Sequence, residues 1–223
     1  MAKLPWIVSG VAVAAYLWSR GKRRIAIDAA AISTVNPVTS SEPQKTSFQG
    51  RWIYPLALWN GRKPTISDGF GSPRGAGTHR GVDIMYVRKS GDPFRAGTPN
   101  GSAGHVMPDD IAVLAAGDGV VWSAQRTPHG NAVVIDHGPL KIATFYTHME
   151  RLLVTPTERA QSQQRVRAGQ PIGIVGFSPL DGEKLKHLHF EIWLGGPTAA
   201  IDPAPVLKAF EVVADRRHSD VAA

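Results

Sequence analysis

The chain has eight histidines and no cysteine, so any metal must be held by His, Asp or Glu. His79 and Asp83 stand in Thr78-His79-Arg80-Gly81-Val82-Asp83-Ile84. On an extended strand they would lie ~13 Å apart, too far to share one ion at bonds near ~2 Å. Gly81, midway, lets the chain bend and bring both side chains to one point. By itself such a pair in a turn is more often a capping or hydrogen-bonding pair. A second group, His187-Leu188-His189-Phe190-Glu191-Ile192, alternates strictly. It puts His187, His189 and Glu191 on one strand face and Leu188, Phe190 and Ile192 on the other. Two imidazoles ~6–7 Å apart along a strand can serve one site with only one of them binding the ion.

His148 ends the strand-like run Phe145-Tyr146-Thr147-His148 and alone reads as a packed, hydrogen-bonded histidine. The combination says more. Two neutral imidazoles and one carboxylate form a zinc set with a fourth position open to water. His79, Asp83 and His189 supply such a set, and His148 and His187 remain as bases for the proton transfers of hydrolysis. No H-E-x-x-H segment occurs, which excludes the common helical zinc-protease design. Glu191 reads as a carboxylate behind the site or lining a groove. His105, His129, His137 and His218 fall in turns, flanks or the tail and are set aside. Arg74 and Arg80 are candidates for contacting substrate carboxylates.

The elements that must position these groups are short. With 23 Gly and 17 Pro, the body favours brief strands and many turns. Strand-like runs cover Ile111–Ala116, Gly119–Ala124, Ala132–Asp136, Ala143–His148, Pro171–Val175 and His187–Leu194, which predicts an all-β sandwich or barrel. Residues 88–110 hold turn formers with little periodicity and are expected as a long surface loop near a functional rim. The polar stretch Thr157–Arg167 reads as a loop or a short helical turn. Val206, Leu207, Phe210 and Val213 have helical spacing and predict a closing helix over Pro205–Val213.

At 43% hydrophobic and 19% charged, the chain can bury a core and is not disordered by composition. Its net charge of +7 is uneven, since residues 1–45 hold six Lys/Arg against two Asp/Glu. The remaining body is too mildly basic to indicate nucleic acid, though it suits an anionic polymer such as a cell wall. Leu4 to Trp18 is an uncharged, mostly apolar run between Lys3 and a cluster of Arg20, Lys22, Arg23 and Arg24. As a helix it would span roughly 22 Å, short of the ~30 Å hydrocarbon core without snorkelling flanks. It reads as a membrane anchor, a signal-peptide core with Ala29 and Ala31 near a cleavage site, or a helix buried in an assembly. The basic cluster falls between the run and that cleavage site and favours an uncleaved anchor, while also favouring a cytoplasmic side for residues 25–223. The expected organisation is an apolar helix with basic flank over 1–24, a linker over 25–50, one domain over 51–213 and a polar tail over 214–223.

Taken in order, these segments resemble the lysostaphin-type (LytM-like) zinc metalloendopeptidases, which cut peptidoglycan cross-bridges. The resemblance covers about residues 66–205. It starts at Ile66-Ser67-Asp68-Gly69-Phe70-Gly71-Ser72-Pro73-Arg74 and runs through His79–Asp83 and Ala115-Ala116-Gly117-Asp118-Gly119-Val120-Val121. Gly130-Asn131-Ala132-Val133-Val134-Ile135-Asp136-His137-Gly138, Tyr146-Thr147-His148 and Val166-Arg167-Ala168-Gly169-Gln170-Pro171-Ile172-Gly173 come next, ahead of the H-x-H strand.

The resemblance implies a mainly antiparallel β-domain with a substrate groove. It implies one zinc ion on His79, Asp83 and His189, with His148 and His187 as the catalytic histidines. The implied substrate is the stem or cross-bridge peptide of peptidoglycan. The implied place is the cell envelope, on its periplasmic or extracellular face, with a virion-associated phage lysin as the alternative. A catalytically silent binding protein or virion component would be marked by missing ligands, and every ligand position here is filled. A lipoyl- or biotin-type carrier would need a modifiable lysine at a hairpin tip, and none stands there. The chain departs from the family pattern in two loops. Phe177–Lys186 lacks the usual Ser/Thr-Gly repeats, and residues 88–110 read as an insertion. The sequence shows no wall-binding domain after this one, so targeting is expected from the N-terminus or a partner.

Overall fold

The computed structural model describes residues 50–75, 77–138, 141–158, 164–179 and 185–214. Among the described residues, thirteen strands carry the architecture: β1 (Pro64–Asp68), β2 (Pro73–Arg74), β3 (Gly77–Thr78), β4 (Val82–Val87), β5 (His105–Val106), β6 (Ala112–Leu114), β7 (Gly119–Thr127), β8 (Gly130–Asp136), β9 (Ile142–Leu152), β10 (Arg165–Val166), β11 (Pro171–Val175), β12 (Leu188–Leu194) and β13 (Ala200–Ile201). All the strand pairings are antiparallel, along the order β1-β4-β12-β9-β8-β7-β10. β11 joins this sheet through the far end of β9 and carries β6 beyond it, while β2 and β3 form a separate small ribbon.

The expected all-β class is observed, and its reason is visible in the alternation. Leu188, Phe190 and Ile192 on β12 have no exposed surface and pack with Val82 and Ile84 of β4 and Tyr146 of β9. Full burial of each such aliphatic or aromatic side chain is worth about 1.5–3 kcal/mol. This layer glues β4, β12 and β9 together from below and leaves their opposite face for polar side chains.

Three expectations need correction. β4 was not among the strands read from the sequence, yet it lies beside β12 in the sheet. The closing helix shrinks to one turn, α1 (Ala204–Leu207). Leu207 and Phe210 are buried as the spacing requires, but Glu211 leaves the helical path to pair its backbone with Trp52 and Ile53 and its carboxylate with Arg51. The 88–110 segment is a long connection, but it is fastened down. β5 adds to the edge of β4, Arg62 grips Asp92 with both terminal nitrogens, and Lys186 pairs with Asp109. Within Thr157–Arg167, Thr157 bridges Ala124 and β10 pairs with β7. The apolar N-terminal helix, the linker up to residue 49 and the tail from residue 215 lie outside the described residues. Among those described, no helix is long and apolar enough to cross a membrane.

Candidate metal centre

Adjacent strands β4, β12 and β9 bring the chemical groups together by register. His189 pairs across to Asp83 on one side and to Thr147 on the other, so Asp83 and His189 stand side by side on the polar face. His79 precedes β4 and is held by the β2–β3 ribbon, its N–H donating to the Ser72 carbonyl and its carbonyl accepting from Gly71 N–H. Gly81 then allows the chain to fold tightly onto β12. A Cβ there would lie 2.3 Å from the Phe190 carbonyl oxygen and 2.8 Å from Glu191 Cγ. The sequence suggested a bend at Gly81; the space shows that close approach is what demands glycine.

The result is a triangle of donor atoms. His79 Nε2 lies 2.9 Å from His189 Nδ1, and Asp83 Oδ1 lies 3.1 Å from each. In a tetrahedral zinc site with bonds of about 2.0–2.1 Å, neighbouring donors stand about 3.3 Å apart, so these atoms need to move only a few tenths of an ångström. The other ring nitrogens are already committed. His79 Nδ1–H donates to the Gly69 carbonyl at 2.8 Å, and His189 Nε2–H donates to Glu191 Oε1 at 3.0 Å. Two imidazole lone pairs and a carboxylate oxygen therefore converge on one point, an arrangement that calls for a cation. The donor set fits zinc.

The electrostatics agree. Burial would raise the Asp83 pKa, but hydrogen bonds from His189 and His79 and the charge of His187 hold it well below the usual carboxylate range. Burial would lower that of His189, but hydrogen bonds to Asp83 and Glu191 outweigh it and push the pKa up to about 9. Without a metal, a proton takes the cation's place.

The two remaining histidines flank this triangle. His187 donates Nδ1–H to the Leu185 carbonyl at 2.9 Å and turns Nε2 to within 3.7 Å of Asp83 Oδ1. His148 donates Nδ1–H to the His129 carbonyl at 2.7 Å, and its ring lies 4.6 Å from that of His187 and 5.6 Å from that of His189. Nδ1 is thus committed in each ring, which leaves Nε2 as the nitrogen for chemistry. Burial, together with the neighbouring His187 and His189, drives the His148 pKa well below the ordinary imidazole value and keeps this ring neutral.

His148 is placed by strain. Its φ is +66°, in the left-handed region that costs a non-glycine residue about 1–3 kcal/mol. From Tyr146 to Met149, β9 advances three residues while β8 advances two, from Val133 to Asn131. This bulge breaks the alternation that would have sent His148 to the face opposite Thr147.

All five residues singled out in the sequence thus lie in one cluster. Glu191 acquires a definite place, with Oε2 accepting from Trp193 Nε1 at 2.6 Å while Oε1 holds His189. Arg74 and Arg80 are internal partners. Arg74 pairs with Asp68 at 2.5 Å and Asp83 at 3.1 Å, and Arg80 donates to the Pro197 carbonyl and lies near Glu191. His137 supports the sheet between the Asp118 carbonyl and Thr144 Oγ1. The carbonyls of Gly69, His129 and Leu185 escaped sequence reasoning, since a main-chain oxygen leaves no signature in residue type.

Part of this chain is similar to known peptidases. Residues 101–203 match the family described as Peptidase family M23. Peptidoglycan DD-endopeptidase ShyA of Vibrio cholerae serotype O1 is 35% identical over 100 residues, 44% of this chain and 21% of that protein. Peptidoglycan DD-endopeptidase ShyC of the same organism is 37% identical over 94 residues, 41% of this chain and 19% of its own length. The chain thus spans about a fifth of the curated relatives it matches. Among solved structures, the catalytic domain of lysostaphin from Staphylococcus simulans aligns with 67% of this chain and 95% of its own, at 24% identity and a TM-score of 0.48. His79 and Asp83 precede the span matched to the family, and the β4–β12 register carries them to His189 within it; residues 101–203 of the chain are thus similar to peptidase family M23.

Proposed function

We propose that this chain is a zinc-dependent endopeptidase that hydrolyses peptide cross-links of peptidoglycan in the cell envelope. The observation that carries the reading is the His79–Asp83–His189 triangle, with both imidazole lone pairs aimed inward and two further neutral-capable imidazoles beside it. The family match and the two DD-endopeptidase relatives support the substrate class. The run Leu4–Trp18 with its basic flank supports attachment of the domain to a membrane.

His79, Asp83 and His189 would hold the metal. When bound, zinc supplies a Lewis acid for an amide carbonyl and a water whose pKa is lowered to about 7. Around it, the chain's own groups handle protons. Of His148 and His187, one would accept the attacking water's proton at Nε2 and hand that same proton on to the departing amine, while the other, protonated at Nε2, would hydrogen-bond the developing oxyanion. Fixing both rings through Nδ1–H on backbone carbonyls removes the tautomer that could not accept at Nε2.

Digestion of purified sacculi by the zinc-loaded chain, followed by mass spectrometry of the muropeptides, tests this reading and identifies the bond cut. His189→Ala is expected to lose zinc and digestion together, and His148→Ala to keep one equivalent of zinc while losing digestion. Digestion at an undiminished rate by His189→Ala would end the proposal.

A further inference from the structure

Beside the triangle, on the side of Asp83 and His187, lies a pocket of about 220 Å³. Met85 and Leu185 give it apolar surface, and Ser67, Asp68, Ser102 and His105 give it polar surface. Ser102 and His105 belong to the 88–110 segment, the stretch that the sequence marks as inserted. Their position is fixed by β5 pairing with β4, by Arg88 Nη1 donating to the Ser102 carbonyl at 3.0 Å, and by Lys186 N–H donating to the Pro99 carbonyl at 2.7 Å. A wall held this way is formed before a ligand arrives.

The polar groups are unbalanced toward acceptors. Ser67 Oγ donates its hydrogen to the Asp83 carbonyl, and Ser102 Oγ donates to the His105 carbonyl while accepting from His105 N–H. Both oxygens keep a lone pair and no hydrogen to give. Asp68 Oδ1 accepts from Ser72 Oγ at 2.6 Å and Oδ2 pairs with Arg74 at 2.5 Å, and each oxygen has one further lone pair. A ligand group rich in donors satisfies this lining, whereas a carboxylate meets lone pairs and negative charge.

We propose that this pocket is a substrate subsite for the free ammonium-bearing side chain of a diamino residue in the peptidoglycan stem peptide. The inference rests on the reading of the chain as a peptidoglycan endopeptidase. It deepens that reading because, among alanine, γ-linked glutamate and the diamino residue of a stem, only the last has a long side chain ending in an amine. The aliphatic stem lies against Met85 and Leu185, and the ammonium donates to Ser67, Ser102 and Asp68.

The test is a binding measurement on the full-length His148→Ala chain loaded with zinc. The probes are fluorescently labelled L-Ala-γ-D-Glu-L-Lys with a free ε-amine and the same tripeptide with that amine succinylated. The free amine is expected to bind at least about 10-fold tighter, roughly the effect of one good charge-assisted hydrogen bond. Ser102→Leu, which fills the pocket, and Asp68→Asn, which removes its charge, are each expected to cut the preference to about 3-fold or less. Retained zinc content reports that the variants are folded. Equal affinity for both probes, or a preference unchanged in both variants, overturns the subsite. Failure of the two proposals is distinguishable. Digestion of sacculi without side-chain preference leaves the enzyme and removes the subsite, and preference without digestion does the reverse.

Discussion

His79 Nε2 and His189 Nδ1, 110 residues apart in the chain, face each other at 2.9 Å with their outer nitrogens bonded to the Gly69 carbonyl and Glu191. The two outer partners differ in kind, one a neutral carbonyl and the other a carboxylate that makes its imidazole a stronger donor to a metal. Glu191→Gln keeps an oxygen for His189 and removes the charge. Zinc affinity is expected to fall about 10-fold or more, read by competition with a chromogenic chelator. Unchanged affinity would show that Glu191 contributes packing alone.

The left-handed backbone at His148 yields an ordering that strand propensity would invert. Asparagine tolerates positive φ, while a β-branched residue does not. His148→Asn is therefore expected to be more stable than His148→Val by about 1–2 kcal/mol, although valine is the better strand former. Both variants are expected to bind zinc and to lose at least about 100-fold in turnover. Urea unfolding checks the ordering, and valine matching asparagine would mean that φ relaxes at no cost.

The part of the site that follows period-two alternation was legible in the sequence. His187–Ile192 reads directly as one polar and one apolar face, and the structure keeps both. The β9 bulge was not legible, because an extra residue between Tyr146 and Met149 changes no composition and shows only against the register of β8. β4 was hidden for another reason. His79, Arg80 and Gly81 precede it and drew attention to a turn, while Val82–Val87 includes a mixed Asp-Ile-Met-Tyr stretch without clean alternation. The closing helix over Pro205–Val213 failed at Glu211, where pairing with the distant Trp52 and Ile53 outcompeted local helical propensity.

Two glycines separate close approach from ordinary turn chemistry. Gly81→Ala puts a methyl group 2.3 Å from the Phe190 carbonyl and 3.0 Å from His189 Nε2, whereas nothing lies within 4 Å of a Cβ at Gly75. Gly81→Ala is expected to destabilise by about 1–3 kcal/mol and to weaken zinc retention by displacing His189. Gly75→Ala is expected to change stability by no more than about 0.5 kcal/mol. Chemical denaturation and zinc analysis of the pair check both statements, and equal behaviour would refute the steric account.

His137 gives the fold a pH dependence separate from the metal centre. Burial lowers its pKa, and this outweighs the opposing influence of the Asp118 carbonyl and of the Asp136 and Asp118 charges. Its Nδ1–H donates to the Asp118 carbonyl, Nε2 meets Thr144 Oγ1, and Trp52 packs on the ring, so the neutral form belongs to the fold. With the folded pKa below the unfolded value of about 6.5, the unfolded chain takes up the proton first as pH falls. The stability that His137 contributes is therefore complete above about pH 6.5 and is lost progressively below it, down to the folded pKa. His137→Gln cannot titrate. Its deficit in melting temperature relative to the native chain is expected to be larger at pH 7.5 than at pH 5.5. A deficit that stays constant or grows on acidification would show that the imidazole is held charged in the folded protein.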